Sequence, residues 1–268
     1  MRIKQLMFGI ALGFASSGAF AINVGGVVWD PNSGDDYFAV DAMYEKVVVN
    51  TGDILSGYGK ILGINGETNP SVFCPGCELT YQFDGFKLDQ ILDTNANFNF
   101  GDAGDNAVFT GGTVKFYVDF SADFALDNVG SAGDDSGANQ LWLEMNAATQ
   151  SVFFGSTSAT GTLFSDLTQG ALGTGTEGGN GFGNFDVIAG LAKLNFDTNT
   201  QANGSDFRFT SSFQPRSCAP SNCVSSYQLF GSNDMYSNSI AVPEPQALAL
   251  LGLGLIGFVY LQCKRKYA

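Results

Sequence analysis

Two closely spaced cysteine pairs, Cys74-Pro-Gly-Cys77 and Cys218-Ala-Pro-Ser-Asn-Cys223, are the side chains best placed to do chemistry in this chain. Such pairs can close disulfides, act as a redox couple or offer thiolates to zinc. A redox C-x-x-C needs a strand–helix–strand frame, and no helical periodicity surrounds Cys74 and Cys77. Four cysteines allow three pairings. Both loops already carry proline and turn residues, which favours the local pairs Cys74–Cys77 and Cys218–Cys223. A further cysteine, Cys263, lies in an apolar run near the C-terminus.

The acids are the second resource. Asp102, Asp105, Asp134 and Asp135 sit in stretches rich in Gly and Asn. Hard oxygen ligands on turn-rich loops suit Ca²⁺. No EF-hand or nonapeptide repeat is spelled, so solvated loop carboxylates are the plain alternative. A carboxylate pair at the right separation could also cleave a glycosidic bond. Histidine is absent. That removes the commonest general base and the commonest transition-metal ligand, and with them Ser-His-Asp, Cys-His and His-zinc sites. Gly173 to Gly178 and Gly252 to Gly257 both spell G-x-G-x-x-G, but neither joins a strand to a helix, so no nucleotide site is expected. Trp29, Trp142, Tyr117 and Tyr227 could stack on sugars from a wet sheet face or fill a core. The expectation is a non-enzyme with no catalytic residue and no cofactor, Ca²⁺ being the one candidate ion.

The elements that would position these residues are strands. Val114, Phe116, Val118 and Phe120 alternate with Lys115, Tyr117, Asp119 and Ser121. Phe207, Phe209 and Phe213 alternate with Arg208, Thr210 and Ser212, and Leu141, Leu143 and Met145 with Trp142 and Glu144. Leu79, Tyr81 and Phe83 alternate with Thr80, Gln82 and Asp84. A period of two with one apolar face is the mark of antiparallel sheet. Further strands are expected over Val24–Trp29, Phe38–Val49, Val152–Phe154, Phe185–Ile188, Ala192–Phe196 and Ser226–Phe230. Turn clusters over Asp30–Asp36, Asn95–Asn106, Gly130–Asn139 and Gly170–Asn184 punctuate them. Ten to twelve short strands with such turns predict an all-β, antiparallel β-sandwich of jelly-roll type.

The ends have a different composition. Arg2 and Lys4, an apolar run from Leu6 to Ala15, and Ala19-Phe20-Ala21 make the three parts of a secretory signal peptide over residues 1–21. Signal peptidase should cut after Ala21 and leave Ile22 first. Export passes through an oxidising compartment, which favours disulfides over zinc. At the other end, Val242-Pro243-Glu244-Pro245 stops any regular element. A charge-free run from Ala247 to Leu261 follows, then Lys264-Arg265-Lys266. At ~1.5 Å per residue the run spans roughly 22 Å, a little short of a ~30 Å hydrocarbon core. Gln262, Cys263 and the stem of Lys264 can extend it, which places one transmembrane helix over 246–262. The basic cluster holds the end in the cytoplasm and leaves residues 22–241 outside.

That middle segment is one large all-β ectodomain or two small ones. The chain holds 26 acids and 12 bases; its ends take one acid, Glu244, and five bases, which leaves 25 against 7, a net charge of −18. Such a surface argues against nucleic acid, whose phosphates need clustered Lys and Arg. The 24 Phe argue against an acidic disordered chain.

The order Pro243-Glu244-Pro245, short apolar helix and terminal basic cluster resembles the PEP-CTERM sorting signal over Val242 to Lys266. The cluster here is Lys-Arg-Lys, where that signal is usually rich in Arg. The resemblance implies recognition by exosortase, a membrane-embedded cysteine enzyme that cuts near the motif. It also implies a Gram-negative host that makes exopolysaccharide, and a role in biofilm, floc or extracellular matrix. The precursor would sit in the inner membrane transiently and the processed form at the cell surface or beyond it. The functional expectation is a structural or adhesive matrix protein. A module binding carbohydrate or Ca²⁺ on the host's own exopolysaccharide is the second class, and a secreted glycosidase the third.

Overall fold

Alternating side chains put every apolar group of a strand on one face. In the computed structural model, which describes residues 21–33, 37–125, 140–216 and 227–242, that face is turned inward around a closed cylinder. In chain order the strands are β1 (Ile22–Val24), β2 (Val27–Trp29), β3 (Tyr37–Glu45), β4 (Ile54–Ile64), β5 (Glu78–Leu92), β6 (Asn106–Thr110) and β7 (Thr113–Asp119). Then come β8 (Gln140–Ala147), β9 (Gln150–Phe154), β10 (Thr157–Gly161), β11 (Leu163–Gln169), β12 (Gly178–Ala189), β13 (Phe207–Pro215) and β14 (Leu229–Ser237). Two single-turn helices, α1 (Pro70–Phe73) and α2 (Lys193–Phe196), lie in connections.

The ladder is antiparallel throughout. β6 and β7 continue one register along β5, Lys87 facing Thr110 and Asp84 facing Thr113. They act as one long strand that bends at Gly111-Gly112, where both φ angles are positive. A Cβ on Gly112 would strike the Phe86 ring. β8 and β11 likewise stand end to end along β12, Ala147 facing Phe185 and Leu163 facing Gly183. The β9–β10 hairpin is an excursion between them. It covers Val108, Phe164 and Phe182 on the outside of the wall. Eight strands are therefore crossed at any level, each beside its sequence neighbour, and β3 pairs with β14 to close the ring.

This corrects the expected jelly-roll sandwich. The all-β, antiparallel character is as expected, but the strands form an up-and-down barrel rather than two packed sheets. Strands as long as the 15-residue β5 and the 12-residue β12 have partners along both edges. Closure of this kind satisfies every edge of the wall. Glycine makes room for the curvature. Gly57 and Gly59 of β4 carry no Cβ where the rings of Phe83 and Tyr81 lie.

Other local expectations change too. Val24–Trp29 is not one strand but the β1–β2 hairpin, turned by Gly25 and Gly26 at φ 62° and 96°. Ala192–Phe196 forms α2 rather than a strand. The Gly-rich stretch read as a loop over Gly170–Asn184 already enters β12 at Gly178. There Gly179 and Gly183 face the Asp166 and Thr162 carbonyls across β11, too near for a Cβ. Phe120, expected beside Phe116 and Val118, falls just past β7 and is half exposed.

The two ends of the barrel differ. At the lower end, Trp29, Tyr37, Trp142, Phe196 and Phe207 form a plug. The rings of Trp29 and Phe196 stack at 5.1 Å, and Trp29 meets Trp142 edge-on at 5.9 Å. Both indole N–H groups are satisfied: Trp142 donates to the Val24 carbonyl at 2.9 Å and Trp29 to Ser239 Oγ at 3.0 Å. Those two bonds pin the first strand and the segment after β14 to the same end. Among the described residues the upper end is framed by the connections after β3, β5 and β11.

Candidate functional site

Above the aromatic plug the barrel is hollow. The cavity is lined by Met43 and Glu45 of β3, Tyr81 and Phe83 of β5, Asn233 and Met235 of β14, and further inward side chains of β6, β11 and β13. The space open to the centre of a water molecule is about 60 Å³. One water needs ~10–15 Å³ by that measure, so several waters or one small apolar molecule fit. The lining reaches Lys46 and Val48 after β3, and Leu172 and Glu177 before β12, so the cavity extends toward the upper loops.

A polar cluster interrupts the apolar wall. Asp41 and Glu45 point inward from β3, and Asn233 from the adjacent β14. Tyr81 reaches them from β5, across β4, because Gly59 has no side chain in its path. The Asn233 backbone N–H donates to Asp41 Oδ1 at 2.9 Å. The Asn233 amide donates to the Tyr81 hydroxyl at 3.0 Å, which itself approaches the Ala42 carbonyl at 3.4 Å. Three oxygens there have no hydrogen-bond partner: Asp41 Oδ2, Glu45 Oε1 and Asn233 Oδ1. Their residues are 3 %, 6 % and 2 % exposed, so bulk water does not supply the bond. Buried polar atoms are nearly always paired, and orphans of this kind call for an explanation.

Burial also sets the charge. Desolvation pushes the Glu45 carboxyl up to about 8 and the Asp41 carboxyl well above the usual carboxylate range. Hydrogen bonds from Tyr81 and Asn233 oppose the shift at Asp41 without cancelling it. The Glu45 carboxyl is therefore mostly neutral at pH 7, and a neutral carboxyl can donate as well as accept. Sequence reasoning did not find this cluster. Asp41 and Glu45 fell within the expected strand Phe38–Val49 and Asn233 within none, and only the closed register brings the three together.

The expected site residues fall elsewhere. Asp102 and Asp105 lie together in the loop after β5. Asp105 Oδ1 and Oδ2 accept the backbone N–H groups of Thr94 and Gly101, at 3.1 and 2.8 Å. Asp102 Oδ1 and Oδ2 accept the amides of Asn95 and Asn97, at 2.7 and 2.8 Å. Each oxygen thus meets an N–H donor that a cation would have to displace. Asp134 and Asp135 lie outside the described residues.

A third acidic group was not foreseen. Glu78, Asp119 and Asp123 bring carboxylate oxygens within 4.8 Å of one another. Glu78 and Asp119 face each other across β5 and β7, a proximity that only the register reveals. Glu78 is already committed: Oε2 pairs with Lys60 at 2.6 Å, and Oε1 accepts the N–H groups of Asp123 and Phe124. This arrangement ties the segment after β7 to the wall.

Cys74 and Cys77 form a disulfide after α1, beneath Gly26 of the N-terminal turn. Cys218 and Cys223 lie outside the described residues. Of the sugar-stacking candidates, Trp29 and Trp142 are in the plug, Tyr227 is buried against Tyr44 and Tyr58, and only Tyr117 keeps part of its surface. The first described residue is Ala21, directly before β1. Ala19, Pro243, Glu244, Pro245, Lys264, Arg265 and Lys266 lie outside the described residues, as does the expected transmembrane helix. Among the described residues no helix is long and apolar enough to cross a membrane.

Comparison with known proteins finds one correspondence. Residues 241–266 match the PEP-CTERM protein-sorting motif. No curated protein and no solved structure matches the chain.

Proposed function

We propose that this exported chain, which carries a PEP-CTERM sorting motif at residues 241–266, is a non-enzymatic surface or matrix protein whose barrel an exosortase-type enzyme frees from the inner membrane. The position of the motif relative to the fold carries the reading. β14 closes the barrel and ends at Ser237. The next residues are fastened to the lower end. Asn238 accepts from Thr198, Ser239 from Trp29, and Ile240 exchanges bonds with Asn195 at 2.9 Å each way. The motif begins at the following residue. A cut within it removes no strand and no plug contact. The N-terminal end behaves the same way: cleavage after Ala21 leaves β1 intact from Ile22.

A protein of this design is delivered complete and loses only its anchor. Its acidic outer wall stays soluble once released. Both tryptophans are buried in the plug and cannot stack on a glycan, which favours a structural role over carbohydrate binding.

The test uses Pro243→Ala with Pro245→Ala in the native host. These changes keep the apolar run, which still partitions into lipid. Wild-type protein is expected in the surface and extracellular fractions, and the double variant in the inner membrane as uncut precursor. Wild-type protein held in the inner membrane at full length would overturn the proposal.

A further inference from the structure

We infer that the barrel interior binds a small uncharged amphipathic molecule, its apolar chain or ring held among Phe83, Phe86, Phe109 and Met235 and its hydroxyl or amide N–H directed at Glu45 and Asn233. The inference is independent of how the tail is processed.

Three observations support it. The cavity is too large to be a packing defect and too apolar to be well hydrated, since its wall is mostly Phe, Leu, Met and Val. A buried polar cluster interrupts its wall, and two acceptor oxygens of that cluster on lining residues, Glu45 Oε1 and Asn233 Oδ1, have no partner. A structural network would be expected to satisfy its own members. This one is half complete: Tyr81, Asn233 and Asp41 hold one another in place and leave the free oxygens aimed inward. Finally, the lower end is sealed by Trp29, Trp142 and Phe196, where the first strand and the segment leading to the tail are pinned. Entry is therefore from the upper loops, the side facing away from a membrane-held tail.

The chemistry selects the head group. A hydroxyl or amide can donate to Glu45 Oε1 or Asn233 Oδ1 and fill an empty bond. A carboxylate ligand would carry an uncompensated charge into an apolar cavity, and an ether has no donor for Asn233 Oδ1, an amide oxygen that can only accept.

The experiment uses the chain from Ile22 to Val242, which contains every described strand and both plug contacts. Binding of 1-octanol, octyl methyl ether and octanoate is measured at pH 7 by calorimetry and by chemical-shift changes. The expected result is one 1-octanol per chain, the ether weaker by about tenfold or more, and no binding of octanoate. Ser165→Leu and Ser211→Leu project apolar volume into the cavity, and Ser165 Oγ has no partner to lose. Either variant, if folded by circular dichroism, is expected to abolish octanol binding. Absence of 1-octanol binding to the wild type, equal affinity for alcohol and ether, or full binding by a plugged variant would each overturn the inference. A cavity that holds only water gives the first of these results.

Discussion

Trp142→Ala is expected to cost about 3–5 kcal/mol of folding stability, the range for truncating a large aromatic in a packed core. Trp142 is 1 % exposed and sits at the centre of the lower plug. It meets Trp29, Phe116 and Phe196 edge-on, and its indole N–H is the bond that fixes β1 through the Val24 carbonyl. Truncation opens a void that rings locked by the wall cannot refill, and it leaves that carbonyl without its donor. A domain of ordinary stability has only ~5–15 kcal/mol to lose, so the variant should unfold at much lower urea. Phe153→Ala is the control. That ring is 74 % exposed on the outer hairpin, and its loss should change little, within ~0.5 kcal/mol. Equal urea midpoints for Trp142→Ala and wild type would mean that the N-terminal hairpin is not part of the cooperative fold.

The second large effect is a dependence on pH. Glu45 is raised from 4.5 to about 8 in the folded barrel, by burial. Below pH 4.5 the carboxyl is protonated in both states and carries no penalty. Between 4.5 and about 8 the unfolded chain loses the proton and the folded one keeps it, so stability falls as pH rises. Above that range both states are ionised and the whole penalty applies. The loss amounts to something on the order of 5 kcal/mol, and Asp41 adds to it in the same direction. Among the described residues burial alone shifts Glu45, and the Lys46 ammonium lies over the Tyr227 ring, 5.5 Å from its centre. Thermal melts of the released domain should therefore show Tm falling from pH 5 to pH 9. Glu45→Gln keeps the shape and cannot ionise. It should match the wild type at pH 5 and exceed it by several degrees at pH 9. Parallel curves for the two proteins would show that Glu45 is solvated or paired in solution.

The two effects bear on function in different ways. The plug fixes the end of the barrel from which both described termini leave, so under the proposed processing it sets which end of the barrel faces away from the membrane. Burial holds the Glu45 carboxyl of the polar cluster up at about 8, which suits an uncharged occupant and disfavours an acidic one.

How much of this was legible in the sequence depends on the range of the signal. Alternation in Val114–Val118 and Phe207–Phe213 is local, and it located β7 and β13 with the correct inward face. Cys74–Cys77 was legible for the same reason, since both partners and the turn lie within four residues. The closure was not. Whether β3 finds β14 or stacks on another sheet depends on register over the whole chain, and no short window records it. Ile54–Ile64 was missed because Gly57, Gly59 and Gly63 break the apolar pattern. Those glycines mark the strand over which Tyr81 and Phe83 lie, so the feature that hid the strand is the one that shapes the cavity. β11 was missed through its polar spelling, Ser165, Asp166, Thr168 and Gln169.

The candidate sites divide along the same line. Asp102 and Asp105 were visible as a loop cluster, but their use, receiving N–H donors that knit the loop, required coordinates. Asn233 lies 192 residues from Asp41 in sequence, and it joined Asp41 and Glu45 in a cluster only when β3 and β14 met. The sorting signal was the most legible feature of all, because a sorting enzyme reads a short linear segment and not a fold.

The account rests on the claim that the chain is an exported barrel whose tail is removed without disturbing the fold. Intact mass of the protein recovered from the cell surface tests that claim most directly. The expected mass corresponds to a chain that begins at Ile22, retains Ile240, and ends within the motif before the apolar run at Ala247. Surface protein that still carries Met1, or that retains the run through Ala268, would contradict it.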